Sequence, residues 1–279
     1  MHIDIGSNPN IILLMLAPIF IGCFMAEFIY CYKKGLNKYS FKDTFANISL
    51  SLMYQASEAI FNIFIISSIY TWIYNHGLQL FSQTTFLNIL LLFILQDFLY
   101  YWFHFTSHKV RWLWSSHVTH HSSLRLNFST AFRQSLTYPI SGMWAFWLPL
   151  AYIGFKPEMV ILIVALNLAF QFFVHTELIK KLGWAEKIFN TPSHHRVHHA
   201  TNEQYLDKNF AGIFIIWDKM FGTFEEEVET PIYGIIDQIY SFNPIRLSFH
   251  EWGSMFKDVI KNKDIRYLWK PPLWNKNKL

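Results

Sequence analysis

Charge is scarce in this chain. Its 279 residues include 23 Lys and Arg and 19 Asp and Glu, 15% in all, where a soluble domain carries about 25%. The deficit excludes an ordinary soluble protein. The net charge of +4 is spread thinly, with no basic block of the kind that binds nucleic acid, so that class of partner is excluded. Cysteine is almost absent. Cys23 and Cys31 are too few for an iron–sulfur ligand set. Both fall in or beside the first apolar run, where a disulfide has little to recommend it. The N-terminus has neither a basic start nor a small-residue cleavage site, so no removable signal peptide is expected. The sequence shows no internal repeat and no low-complexity domain.

Apolar residues are abundant: 52% of the chain is hydrophobic and 19% aromatic. A helix of about 20 apolar residues spans a bilayer. Runs of that order cover residues 11–32, 48–74 and 86–103. A further block, 136–174, is broken at Gly154-Phe155-Lys156-Pro157. Each half is near the lower limit for spanning, so the block reads as a hairpin that crosses twice or dips in and returns. Glu58 in the second run turns part of it toward the protein interior. The fold expected is an all-α integral membrane protein with about four to five transmembrane or re-entrant helices and a cytoplasmic, His-rich helical cap. Lys33, Lys34, Lys38 and Lys42 put the first loop in the cytoplasm, whereas 75–85 holds no Lys or Arg. The implied location is a bacterial inner membrane, or the endoplasmic reticulum in a eukaryote. The chain divides into N-terminal spans and a basic loop (1–84), the His-bearing catalytic domain (85–250) and a basic, soluble tail (251–279) with Pro271-Pro272.

The 13 His are the chemical feature. His104 and His108 stand four apart. His117, His120 and His121 repeat the spacing of one helix face, and His195, His198 and His199 repeat it again. His194 fits one residue earlier if the turn after Pro192 is irregular, and His175 stands alone at the end of the hairpin. The topology above brings all of these to the cytoplasmic face and leaves His76 on the other. Clustered neutral imidazoles suit Fe, Zn or Cu. There are more of them than one tetrahedral zinc uses, enough for two metals with about four or five nitrogens each. No thiolate cluster accompanies them, and no His-Glu-x-x-His occurs, which sets structural zinc and zinc proteases aside.

Other residues have plainer alternatives. Asp97 lies two turns before His104 on the same face, placed to orient a ligand imidazole or to pack as a hydrogen-bonded polar residue. Asn209 and Asp218 either hold ligand His or cap helices. Arg125, Asn127 and Arg133 either hold a head group or cofactor or form a solvated loop. The run Glu225–Glu227 with Glu229 reads as a solvated face, and His250 as structural.

The stretches DFLYYWFHFTSH (97–108), HVTHH (117–121), NTPSHHRVHH (190–199) and DKNFAGIFIIWDKMFGTF (207–224) resemble the fatty acid hydroxylase and sterol desaturase superfamily over residues 85–250. These are integral membrane enzymes with a His-ligated di-iron centre. NFSTAFRQS (127–135) and FFVHTELIKKLGWAEKIFNTPSHHRVHH (172–199) resemble its alkylglycerol monooxygenase-like branch. That branch hydroxylates the carbon next to an ether oxygen in glycerol ether lipids and uses tetrahydrobiopterin. The resemblance implies iron ligation by His104, His108, His117, His120, His121, His175, His195, His198 and His199, with O2 as co-substrate. One position departs: similar enzymes carry Glu after His-His-Ser-Ser, where this chain has Leu124.

The function expected is oxygen-dependent hydroxylation of a lipid C–H bond. The electrons come from a separate donor, a reductase or a reduced pterin, because the sequence offers no haem or iron–sulfur pattern of its own. The alternatives are a sterol or lipid desaturase on the same scaffold and a non-catalytic membrane metal-binding protein.

Overall fold

The computed structural model describes residues 9–272. His2 and the end of the 251–279 segment lie outside them. The described residues form helices α1 (Pro9–Lys33), α2 (Phe41–Phe61), α3 (Ser67–Asn75), α4 (Phe86–Lys109), α5 (Arg111–His121), α6 (Tyr138–Ser141), α7 (Leu148–Ile153), α8 (Pro157–Phe172), α9 (Pro192–His198), α10 (Ile216–Phe221) and α11 (Pro244–Asn262). Among these residues β-structure is limited to two isolated bridges, Phe189 with Phe214 and Ala200 with Tyr233.

Local chemistry sets the boundaries. Thr85 caps α4, its hydroxyl accepting from the Asn88 amide at 3.2 Å. Pro157 opens α8, where its missing N–H costs nothing. The break before it is made by Gly154, which takes a φ of +115° and lies so close to Gln79 that a Cβ would approach its backbone to 2.7 Å. The first half of the expected hairpin is not one helix. Pro139, Pro149 and the left-handed Gly142 divide it into α6, a 3-10 turn at Met143–Trp147, and α7. The second apolar run is a helix from α2 into α3 carrying a π-turn at Asn62–Ile66.

Helix α4 is central. Leu92, Tyr100 and Phe103 on it pack with Trp147, Leu150 and Ile163 in the main core. Helix α1 lies against α8, α3 against α7, and α11 against α5. Helices α1 and α4 are long and apolar enough to cross a membrane, while Met143–Ile153 and Pro157–Phe172 are shorter apolar segments. Helix α11 runs across residue 250, so the 251–279 segment begins inside an element that buries Trp252 and Met255.

Candidate metal centre

Three helices and one turn deliver the histidines. Helix α4 carries His104 and His108 at its end, α5 carries His117, His120 and His121, and α9 carries His195 and His198, with His199 as its cap. His175 follows α8. The structure brings nine of them into two groups. His104, His108, His117, His121 and His198 form one group of five; His120, His175, His195 and His199 form a group of four. Within each group the candidate ligand atoms lie within 4.8 Å of one another, and all nine residues are buried. Helix α5 feeds both: His117 and His121 share a face, and His120 points about 100° away from His121.

The outer ring nitrogens fix which inner nitrogens are free. His104 Nδ1 donates to the Phe210 carbonyl at 2.8 Å, His198 Nδ1 to the Lys208 carbonyl at 2.9 Å, His175 Nδ1 to the Gln171 carbonyl at 2.7 Å, and His120 Nδ1 to the Arg133 carbonyl at 3.3 Å. A carbonyl can only accept, so in each ring the proton sits on Nδ1 and Nε2 keeps its lone pair. His120 Nε2 and His175 Nε2 then face each other at 3.2 Å with no proton between them. Two buried lone pairs at this distance are placed to share a cation. The buried Nε2 atoms of His108 and His198 have no hydrogen-bond partner at all.

The spacing also bears on geometry. Nε2 atoms lie 3.0 Å apart for His104 and His117, 3.1 Å for His117 and His121, 2.9 Å for His175 and His195, and 3.1 Å for His195 and His199. Two nitrogens about 2.1 Å from one ion are about 3.0 Å apart at a 90° angle and about 3.4 Å apart at the tetrahedral angle. Neighbouring nitrogens in both sets are therefore close enough to share one ion.

Electrostatics favour the neutral, ligating form. Burial, reinforced by neighbouring imidazoles, pushes His117, His120, His121, His195, His198 and His199 well below the usual histidine range. Burial takes His175 down to about 4.

The supporting residues do less obvious work. Asp97 touches no imidazole. Its carboxylate accepts from the Ile213 and Phe214 amides at 2.8 and 3.0 Å, Trp217 Nε1 at 2.8 Å and Asn167 Nδ2 at 2.9 Å. It pins the segment whose Phe210 carbonyl holds His104, so it acts on the ligand through a loop. Gly212 permits that close docking, since a Cβ there would lie 2.9 Å from Asp97 Oδ1 and 2.8 Å from the Tyr100 ring. Asp218 accepts from the Phe210 and Ala211 amides, both at 2.8 Å, and burial raises its carboxyl to about 6. Asn209, left-handed at φ 55°, donates to the His194 carbonyl at 3.1 Å and thus fastens α9 by its backbone.

Arg133 is not free for a head group. It is buried on Asp43 at 3.2 Å and Asn47 at 2.8 Å, and it grips the Thr119 carbonyl at 3.0 Å beside His120. Asn127 caps the turn Phe128–Phe132. Glu227, expected in a solvated run, instead makes two 2.7 Å bonds to buried Arg196 on α9. His194, also expected among the ligands, falls in neither group, and its ring lies against Phe224 with centroids 5.4 Å apart. His76 stacks on Trp72, and His250 bonds the Leu247 carbonyl at 2.9 Å. Sequence reasoning missed Tyr138, whose hydroxyl meets His117 Nδ1 at 2.7 Å. No spacing rule links a tyrosine to a histidine 21 residues earlier.

A cavity of about 250 Å³ abuts both groups. His117, His120 and His175 form one wall, with Tyr138, Trp147 and Phe172 among the rings that line the rest. Leu168 and Glu58 line it and are exposed, so it reaches the surface between α8 and α2.

Comparison with known proteins agrees with this construction. Residues 89–223 match the fatty acid hydroxylase family model. The chain is 39% identical to alkylglycerol monooxygenase of Homo sapiens over 250 residues, which is 86% of this chain and 54% of that protein. It is 38% identical to the Danio rerio protein of the same name, covering 94% of this chain and 59% of the relative, and 41% identical to that of Xenopus tropicalis, covering 67% and 43%. The chain thus spans about half the length of these relatives. No solved structure matches it. With its matched segment holding most of α4, all of α5 and α9 and all nine clustered histidines, the chain belongs to the fatty acid hydroxylase family.

Proposed function

We propose that this chain is a membrane oxygenase that hydroxylates a lipid C–H bond, with two irons in the two histidine groups and glycerol ether lipids as its substrate class. The observation that carries the reading is the facing lone pairs of His120 and His175, a buried cation site forming the wall of an apolar cavity. Bound irons supply activation of O2 there. One oxygen atom enters the C–H bond, and the other leaves as water with two electrons and two protons from a separate donor, a reduced pterin such as tetrahydrobiopterin or a reductase.

The chain's own residues supply position and dryness. Nδ1 donation to backbone carbonyls fixes the tautomer and the ring plane, which pre-organises the ligand set. His104, His108, His117, His121 and His198 would hold one ion, and His120, His175, His195 and His199 the other. The group of four also lends two histidines to the cavity wall. The aromatic lining excludes water and holds an alkyl chain by burial. Its opening between α2 and α8 lets a lipid enter sideways. The membrane placement rests on α1, α2 with α3, α4 and the α7–α8 hairpin, about four to five spans or re-entrant segments. The lysines after α1 mark the cytoplasmic side, where the histidines gather.

The relatives' names support hydroxylation over desaturation. Besides the alkylglycerol monooxygenases, the chain is 26% identical to an ornithine lipid hydroxylase of Rhizobium tropici over 49% of its length. The test is product analysis under 18O2. Hydroxylation beside an ether oxygen gives a hemiacetal, which falls apart to an aldehyde and an alcohol, so labelled fatty aldehyde is expected. An unlabelled alkene product would make the protein a desaturase.

A further inference from the structure

Helix α11 divides into three faces at 100° per residue. The inner face carries Leu247, Ser248 and Met255, all buried. A second face carries Ile245, Phe249, Phe256 and Ile260, which fall within about 60° of one another. They stay 51%, 43%, 44% and 76% exposed. A third carries exposed Arg246, Lys257 and Lys261. The two carboxylates of the helix are paired: Glu251 and Asp258 each bond Arg111 at 2.7 Å, although Asp258 stays 37% exposed. What α11 shows outward is an apolar stripe beside a basic one, with its acidic residues paired to Arg111. A free-standing protein surface rarely keeps four large apolar side chains in a row exposed.

The depth of the helix is set by its contacts. Leu247 packs with Ala46 and Leu50 of α2, at the start of the second apolar run. Trp252 Nε1 donates to Thr137 Oγ1 at 3.0 Å, beside α6, and Trp112, stacked edge-on against Trp252, donates to the Ser141 carbonyl at 3.1 Å. Helix α11 thus lies level with the points where the apolar segments begin. Exposed Ile265 and Trp269 extend the apolar edge past its end.

We infer that α11 is an in-plane membrane helix. Its Ile245–Phe249–Phe256–Ile260 stripe sinks into the inner leaflet, and Arg246, Lys257 and Lys261 bind anionic phospholipid head groups. An amphipathic helix with a basic polar face and bulky apolar residues binds anionic bilayers in this way. It would hold the cap, through α5 and its three histidines, at a fixed height over the bilayer. The inference rests on the membrane reading above.

Spin labels test it. In a Cys23→Ala/Cys31→Ala chain, single cysteines are placed at Phe256, Ile260, Ser254 and Lys261, with Leu90 of α4 as a reference. Each is read in nanodiscs holding one chain in phosphatidylcholine with phosphatidylserine. Labels at 256 and 260 are expected to collide with membrane-dissolved O2 and to lose access to an aqueous nickel chelate, while 254 and 261 show the reverse. Lys257→Glu with Lys261→Glu should abolish the difference in immersion between anionic and purely zwitterionic discs. Chelate access at 256 and 260 equal to that at 261, with 90 still shielded, would overturn the inference. So would shielding that appears only when a disc holds two chains, since the stripe would then be an interface between copies. Chelate access at 90 as well would instead bring down the membrane reading.

Discussion

The two histidine groups are alike in chemistry and different in support. In the group of five, His104 and His198 are held by the Phe210 and Lys208 carbonyls, from one segment that reaches α4 from 106 residues away in sequence. In the group of four, His175 is held by Gln171, one helical turn before it, and His120 by Arg133, a short loop after it. The first set draws on the 208–210 segment and lies beneath Phe210 and Trp114, giving only His117 to the cavity. The second takes its two carbonyls from nearby in sequence, draws its histidines from α5, α9 and the turn after α8, and gives His120 and His175 to the cavity. The lesson is a division of labour. The more enclosed group offers five ligand atoms and leans on a remote segment, whereas the more open group offers four and sets two of its rings on the cavity.

The largest effects should come from the open group. His175→Ala leaves three ligands of four and is expected to lower turnover more than about 100-fold, beyond the range of second-shell changes, with loss of one iron measured by elemental analysis. His108→Ala leaves four of five, so it should retain more metal; equal loss from both variants would erase the distinction.

Acid should strip both groups. The sign follows from the depressed values: the imidazoles are neutral in the fold and take up protons when released. Stability is then complete above the ordinary histidine pKa of about 6.5 and falls with pH toward the folded value of about 4 for His175. Each such residue contributes a slope of about 1.4 kcal/mol per pH unit in that window. Metal content and melting temperature in detergent, followed from pH 7.5 downward, should decline together below about 6.5. Constancy down to pH 5 would contradict it.

Asp97→Ala and Gly212→Ala sharpen the comparison from the other side. Both loosen the 208–214 segment, and Asp97→Ala leaves four donors without their acceptor, at about 1–3 kcal/mol for each one that water cannot reach. Metal affinity at the group of five should fall about 10- to 100-fold while the group of four keeps its ion. Spectroscopic titration with Co2+ would show one site weakened; equal weakening of both would mean that the segment supports the whole cap. At the small end for metal binding, His194→Ala removes a buried ring beside Phe224 but should leave metal content alone, and His76→Ala should leave activity intact.

Much of the site was legible because helix geometry is local. Spacings of three and four residues place His117 with His121 and His195 with His199 whatever the rest of the fold does. The same logic failed where partners are remote. Asp97 sits on the face of His104, which suggested direct contact, but its four donors come from α8 and from a segment more than a hundred residues later. His194 joins the spacing only through an irregular turn after Pro192, and it stands in neither group. The hairpin was read from hydropathy, which does not register that Pro139, Gly142 and Pro149 cut a run of apolar residues into short pieces. The inward turn of Glu227 onto Arg196 could not be read from a run of acidic residues that looks solvated.

The central claim is that these nine histidines hold two irons. Mössbauer spectroscopy with iron quantitation, on protein purified in mild detergent from 57Fe-fed cells, tests it most directly. The account predicts two irons per chain coupled through a bridge, with one lost in His175→Ala. A single zinc, or no metal that follows the histidine substitutions, would contradict it.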